Sequence, residues 1–253
     1  MKYLLLLSVL LLLPPCHAEQ VLRADYRERP PEMQALDSLP VGPLIEVLDS
    51  AAQRVGARIE WRYAPFVRSL EDLKSGRIDL VPRVLFTEER TAYVHFLPAI
   101  GSQRKSIRFI VKPGQQARLR SYQDLQGLVI GAKRGTAYFD EFDNDRSLNK
   151  SLATDDYLLA GMFRAGRLDT LIVLDAEAIE AQFHKIGFAD YQYAEYQYEQ
   201  TIGNYYGASL PLYRGGKREV YEQLAEELRR MRDSGEVARI YHSHGVAPPD
   251  TVE

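Results

Sequence analysis

A six-residue pattern occurs twice in this chain, and it constrains the fold more than any other feature. Ser75–Leu80 reads SGRIDL, and Ala165–Thr170, ninety positions later, reads AGRLDT. Each copy follows a stretch of helical periodicity and precedes an apolar run. Glycine suits the left-handed residue just past a helix, and the aliphatic residue after it can start a strand. Two interpretations stay open: an ordinary helix-to-strand turn used twice, or two similar α/β lobes in one chain.

Helices and strands are predicted to alternate around these turns. Apolar residues recur at helical spacing from Leu44 to Val55, and Gly56 stands where a helix would end. A second amphipathic helix is predicted over about 218–231, with strand-like runs at 106–112 and 128–132 between the two copies of the pattern. Alternation at this spacing is typical of parallel α/β units.

The first residues predict a secretory leader. Lys2 is followed by an apolar run over 4–13, two prolines and the small residue Ala18. We therefore expect a signal peptide at 1–18 and a soluble periplasmic product. Cys16, the only cysteine, lies inside this leader or becomes the acylated first residue of a lipoprotein; Pro15 before it favours cleavage after Ala18. The mature chain would then lack disulfides and thiol chemistry.

Composition excludes several other classes of function. The chain is 45% hydrophobic and 26% charged, as in ordinary globular proteins, and its formal net charge of -3 is spread without a basic block. Nucleic acid is therefore not an expected partner. His242 and His244 stand near a polar tail without a third ligand, so we expect no metal and no cofactor. We expect a monomer.

The order and spacing of several motifs carry a family resemblance. They are Arg29-Pro30-Pro31, LEDLKSGRID at 70–79, Thr87-Glu88-Glu89-Arg90, VIGAKRGTAY at 129–138, AGRLD at 165–169 and Leu228–Gly235. Together they resemble the bacterial extracytoplasmic solute-binding proteins of family 3, which serve polar amino acid ABC transporters.

The resemblance covers nearly the whole mature chain and implies a fold. It implies the two-lobed periplasmic-binding-protein (type II) α/β fold. In this fold each lobe holds a mixed, mainly parallel sheet flanked by helices, and two hinge crossovers join the lobes. The implied boundaries are 19–107 with 206–253 for lobe I and 108–205 for lobe II. The hinges are expected near 105–108 and 203–206.

Arg90 is the first candidate ligand-binding residue. Thr87 can cap a helix whose free N–H groups favour an anion, and the arginine adds a planar fork suited to a carboxylate. By themselves these residues are more typical of a solvated, charged helix start than of a ligand clamp. The resemblance implies that Arg90 clamps the α-carboxylate of an amino acid.

A second anion-binding segment is predicted in the other lobe, at Gly135, Thr136 and Ala137, between a strand and a helix expected from Ala137. Glycine lets backbone N–H groups approach a ligand closely, although an ordinary strand-to-helix turn needs no ligand. The family usually has a hydroxyl residue where Ala137 stands, so only a backbone N–H could serve there. Phe66 matches an aromatic platform of the family; its alternative role is core packing.

Asp175 is the candidate partner for a ligand ammonium group, by resemblance. It stands one residue later than the family's usual spacing, and side chains alternate faces along a strand, so it could point away from the cleft unless a bulge intervenes. The segment Pro82–Leu85 also departs from the family pattern. Arg29 lies in the loop from which the family reaches its ligand, and as a loop charge it need have no such role.

The resemblance implies a binding protein that closes a cleft around a small carboxylate-bearing ligand, an amino acid or a related compound, and delivers it to an ABC permease. One alternative is a periplasmic ligand sensor without transport. Another is an enzyme similar to cyclohexadienyl dehydratases, which share the fold. The sequence contains no Ser-His-Asp order, metal-ligand spacing or phosphate loop, so we expect no catalysis.

Overall fold

A computed structural model describes residues 20–251. The predicted signal peptide at 1–18, with Cys16, lies outside the described residues. Across 20–251, none of the helices combines the length and apolar character that crossing a bilayer requires.

Short strands and helices alternate along most of the chain. The strands are β1 (Gln20–Tyr26), β2 (Gln34–Leu36), β3 (Leu39–Val41), β4 (Ala57–Tyr63), β5 (Leu80–Pro82), β6 (Val94–Phe96), β7 (Ser102–Val111), β8 (Val129–Lys133), β9 (Asn149–Ala153), β10 (Thr170–Val173), β11 (Gln192–Gly203) and β12 (Tyr206–Ser209). The α-helices are α1 (Pro43–Arg54), α2 (Phe66–Lys74), α3 (Asp140–Asn144), α4 (Asp156–Arg164), α5 (Ala176–Lys185), α6 (Leu210–Leu212), α7 (Arg218–Asp233) and α8 (Glu236–Ser243). 3₁₀ turns occupy Glu89–Ala92, Gln116–Arg118 and Tyr122–Leu125, and Tyr213–Lys217 is π-helical.

Two five-stranded sheets organise these elements into two lobes. The first has the order β4-β1-β5-β12-β6 and the second the order β11-β7-β10-β8-β9. In each sheet two strand pairings are parallel and two are antiparallel. The architecture of two mixed sheets flanked by helices, predicted from the resemblance, is confirmed.

The two strands that lead into and out of the second lobe run side by side. Strands β7 and β11 pair antiparallel from Ser102 opposite Gly203 to Val111 opposite Gln192. Just outside this ladder, Asn204 donates its backbone N–H to Gly101 O at 2.8 Å. The joint between the lobes is therefore a pair of chain segments bonded to each other.

The repeated turn makes the same contacts in both lobes. Asp79 donates its backbone N–H to Arg23 O at 2.8 Å, and its carboxylate accepts the Arg23 N–H at 3.0 Å. Asp169 repeats both bonds with Val129, at 2.9 and 2.7 Å. Each aspartate thereby ties its turn to the neighbouring parallel strand, which supports the interpretation of two similar lobes.

The core of the first lobe lies between its sheet and helices α1, α7 and α8. Leu44, Leu48, Leu224 and Tyr241 are buried in one cluster there. Each such side chain contributes about 1.5–3 kcal/mol by leaving water. The second lobe has two clusters that hold its helices against the sheet. These cores make each lobe a firm support for the loops at its strand ends.

Candidate functional site

The candidate site lies where the two lobes face each other. On the first lobe it is formed by the loop that follows β1 and by residues 83–90 after β5; on the second, by residues 134–139 after β8 and by Asp175 after β10. All four segments follow the carboxyl ends of strands that pair in parallel. In open α/β sheets, ligands bind outside this edge.

Arg90 links the two lobes directly. It lies in the 3₁₀ turn Glu89–Ala92 and is buried. Its guanidinium donates to Leu85 O in its own lobe at 2.6 Å and to Gly135 O in the other lobe at 2.8 Å. Thr87 supports this turn, since its Oγ1 accepts the Arg90 backbone N–H at 3.3 Å. Burial lowers the pKa of Arg90, so the site disfavours positive charge and would gain from an anion.

Phe66, the first residue of α2, packs beside Arg90. The Arg90 guanidinium carbon lies 5.7 Å from the centre of the Phe66 ring, and that of Arg27 lies 4.2 Å from it. Arginine over an aromatic face is a favourable cation–π contact. The ring is therefore a platform for two guanidinium groups.

Residues 134–139 form a loop, and the prediction of a helix from Ala137 is wrong, because α3 begins only at Asp140. Two successive aromatic residues, Tyr138 and Phe139, are buried in the second lobe, and the Tyr138 hydroxyl accepts the Lys133 N–H at 2.9 Å. This anchoring keeps the segment non-helical. The groups that could bind an anion here are consequently side chains and loop backbone, not a pair of long helix ends.

Gly135 brings this loop into contact with the first lobe. Its φ of +74° lies in the left-handed region, and a Cβ placed on it would lie 3.1 Å from Val67 Cγ2 on α2. Thr136 and Ala137 follow it, half-buried, and Thr136 donates its N–H to Lys133 O. Glycine at 135 therefore permits both the turn and the contact between the lobes.

Asp175 faces the first lobe. Its carboxylate lies 2.5 Å from an Arg29 guanidinium nitrogen and 3.4 Å from Lys105 Nζ. Burial alone would raise the pKa of Asp175, but Arg29, Lys105 and Arg83 together lower it to about 2. The extra residue in the spacing does not turn Asp175 away from the first lobe. Strand β10 ends at Val173, so the alternation of side chains along the strand no longer sets the direction of residue 175.

Several charged residues that meet here were missed by the sequence reasoning. Glu32 accepts from Arg29 at 2.9 Å and from Arg83 at 3.2 Å, and Arg27 donates to the carbonyl oxygens of Pro82 and Arg83. We call the following set the cleft cluster: Arg27, Arg29, Glu32, Arg83, Lys105 and Asp175. Its four cations outnumber its two carboxylates. The departure of Pro82–Leu85 from the family pattern was the available signal, because it brings Arg83 into the site.

Three further titratable residues have partners outside the cleft cluster. Asp25 is buried in the first lobe, where Arg62 holds both its carboxylate oxygens at 2.8 Å. Glu28 accepts the Ala35 backbone N–H. His244 lies 2.6 Å from a Glu46 carboxylate oxygen, where the end of α8 meets the first turn of α1. Within residues 20–251, no group of three metal-ligating side chains is present.

The two sheets are joined by paired crossover strands, and their strand ends meet across an arginine-rich cleft. This arrangement defines a two-lobed solute-binding protein. The chain belongs to the bacterial extracellular solute-binding proteins, family 3, whose family model matches residues 22–247. The family membership predicted from the motifs is therefore confirmed.

Similar proteins agree with this placement. The probable amino-acid-binding protein YxeM of Bacillus subtilis (strain 168) is 24% identical over 186 residues, which cover 72% of this chain and 60% of that relative. This chain thus aligns with less than two thirds of that relative's length.

Solved structures share the fold at low identity. A histidine kinase sensor domain with similarity to periplasmic binding proteins has a TM-score of 0.72 at 18% identity, covering 91% of this chain and 98% of its own. An ancestral arginine-binding protein bound to arginine has a TM-score of 0.69 at 21% identity, with 90% and 99% covered. An amino acid ABC transporter substrate-binding protein from Streptococcus pneumoniae, bound to L-arginine, has a TM-score of 0.68 at 19% identity. The match covers 89% of this chain and 94% of that one. At these identities the likeness concerns the fold.

Proposed function

We propose that this protein acts in the periplasm, closes its cleft around a small carboxylate-bearing molecule and delivers it to an ABC permease. The observation that carries the proposal is the position of Arg90. This buried guanidinium contacts carbonyl oxygens of both lobes, at Leu85 and Gly135. A planar fork at the boundary between two lobes is suited to hold a carboxylate by parallel hydrogen bonds as the lobes close.

The surroundings of Arg90 support an anionic ligand. Phe66 lies beside its guanidinium, and the cleft cluster adds an excess of positive charge. Thr136 and Ala137 follow the carbonyl of Gly135 that Arg90 already contacts. The Thr136 N–H is engaged by Lys133 O, so the Thr136 hydroxyl and the Ala137 N–H are the candidate donors of the second lobe. A carboxylate between these groups would touch both lobes at once. Binding would then stabilise the closed arrangement.

Thermal melting tests the carboxylate clamp. The mature chain is screened against the proteinogenic L-amino acids and small mono- and dicarboxylates, and a ligand is recognised by a rise in Tm. We expect Arg90→Met to abolish that rise, and the primary amide of the same ligand to give none. Arg229→Met, on the exposed side of α7, is the control and should keep the full shift. An unchanged shift in Arg90→Met would reject the clamp.

Delivery to a permease is tested in cells. A deletion strain should lose uptake of the compound that raises the Tm, and the wild-type gene should restore it. Intact uptake combined with loss of a transcriptional response to the same compound would indicate a sensor and reject the transport role. Conversion of the compound by the purified protein would reject a purely binding role.

A further inference from the structure

We propose that the ligand is a small organic dianion of the dicarboxylate type that carries no ammonium group. This inference rests on the proposed function and narrows it. It follows from how the charges of the cleft are already paired.

The carboxylate expected to hold an ammonium group is engaged by the protein itself. One Asp175 oxygen lies 2.5 Å from Arg29 and the other lies 3.4 Å from Lys105. An ammonium group at this place would have to compete with both cations for the carboxylate and would lie close to each of them. Like charges this close repel each other strongly in a partly buried site.

Glu32, the other carboxylate of the cleft cluster, is engaged as well. Its Oε2 accepts from Arg29 at 2.9 Å and from Arg83 at 3.2 Å, and its Oε1 faces the Gln103 amide at 3.5 Å. Lys133, on the second lobe, is paired with Asp156 at 2.6 Å. The acidic groups here therefore serve to hold protein cations in place.

Two guanidinium groups, by contrast, rest on neutral acceptors. Arg27 donates to the carbonyl oxygens of Pro82 and Arg83, at 3.1 and 3.2 Å. Arg90 donates to those of Leu85 and Gly135. Both lie against the Phe66 ring, at 4.2 and 5.7 Å from its centre. Two arginine forks on one aromatic ring match a short molecule with an acidic group at each end.

Arg83 adds a third feature that points to an anion. Its side chain is 2% exposed, and its NH1 atom has no hydrogen-bond partner among the described residues. A buried donor without a partner is unfavourable. An oxyanion of the ligand, or a water molecule bound to that oxyanion, would accept its hydrogen bond. Burial, together with Arg29 and Arg83, also lowers the pKa of Arg27 to about 9. Added negative charge would relieve this crowding of cations.

Calorimetric titration of the wild-type protein tests the inference with matched ligands. Succinate is compared with aspartate and glutarate with glutamate, because each pair differs by one ammonium group; the other unbranched dicarboxylates from malonate to adipate complete the series. We expect the best dicarboxylate to bind about tenfold or more tightly than its amino-acid counterpart. Arg27→Met should weaken the affinity for the dicarboxylate by a similar factor. Arg104 is exposed and paired with Glu199, so Arg104→Met should leave this affinity unchanged.

The outcomes separate this inference from the proposed function. If an amino acid binds through Arg90 and no dicarboxylate matches it, the inference is overturned and the carboxylate clamp stands. If dicarboxylates bind equally well to wild type and Arg90→Met, the clamp fails. If no dicarboxylate binds the wild-type protein, the inference is rejected. These comparisons use wild-type protein first, so they hold even if Arg27→Met folds poorly.

Discussion

Arg29 and Asp175 form an ion pair between the two lobes, with 2.5 Å separating the guanidinium nitrogen from the carboxylate oxygen. Arg29 follows β1 of the first sheet, and Asp175 follows β10 of the second. Both side chains are partly shielded from water, at 17% and 22% exposure. The pair therefore ties together the same two surfaces that a ligand would have to join.

The first prediction concerns pH. The pKa of Asp175 is about 2, below its ordinary 3.8, since Arg29, Lys105 and Arg83 outweigh the effect of burial. A carboxyl group with a lowered pKa in the folded state stabilises that state above its ordinary pKa, and the stabilisation is lost as pH falls through the folded value. The free energy of unfolding of the wild type should exceed that of Asp175→Asn by roughly 2 kcal/mol above about pH 4. Near pH 2 the difference should almost vanish.

Urea unfolding of both proteins at successive pH values measures this difference. In an Arg29→Met background the effect of Asp175→Asn on stability should shrink, because the closest cation is gone. A difference that stays constant down to the lowest pH at which both proteins fold would contradict the assignment.

The second prediction concerns the approach of the lobes at Gly135. Alanine there keeps the unfavourable positive φ and also places a methyl group 3.1 Å from Val67 Cγ2. Gly114 is a matched control, since its φ is +79° and nothing lies within 4 Å of its Cβ position. Both alanine variants should lose about 1 kcal/mol of stability from the left-handed backbone. Only Gly135→Ala should hinder closure.

Small-angle scattering distinguishes these variants through the radius of gyration in saturating ligand. Gly135→Ala should remain more extended than the wild type, whereas Gly114→Ala should close normally. Equal closure in both variants would mean that Val67 moves aside and that the contact does not limit the approach of the lobes.

The third prediction compares the two repeated turns. Asp79 is fully buried and also accepts from Lys217 at 2.6 Å and from the Tyr221 hydroxyl at 2.9 Å, whereas Asp169 is exposed. Asp79→Asn should cost about 1.5–3 kcal/mol, the range for hydrogen bonds to a charged group, because Lys217 and the Tyr221 hydroxyl lose a buried, ionised acceptor. Asp169→Asn should cost about 0.5–1.5 kcal/mol, the range for one hydrogen bond. Denaturant midpoints measure both, and equal losses would contradict the difference in burial.

Much of the fold could be read from local patterns. The helix predicted from Leu44 to Val55 is α1, Pro43–Arg54, and the one predicted over about 218–231 is α7, Arg218–Asp233. Both have strong apolar stripes and end where the pattern ends. The helix expected from Ala137 was wrong because the burial of Tyr138 and Phe139 in the second lobe overrode the local preference.

The site could be read only in part. Arg90, Phe66 and Gly135 belong to motifs with recognisable spacing, and they do come together. Arg27 and Glu32 carry no such pattern. Their place in the cleft depends on Arg83 and on the second lobe, which no local rule relates to them.

The sequence by itself determined the family, through the order and spacing of motifs that resemble those of known proteins, and that resemblance implied the two lobes. The repeated turn and the main helices follow from periodicities and turn chemistry within short segments. Tertiary structure alone decided which charges meet: Asp175 with Arg29, and Arg90 with the carbonyl of Gly135. Hydrophobic periodicity acts within one helix or strand, whereas an ion pair depends on the distance between residues brought together by two separately folded sheets. The contacts between the lobes are therefore the observations on which the proposed ligand class rests.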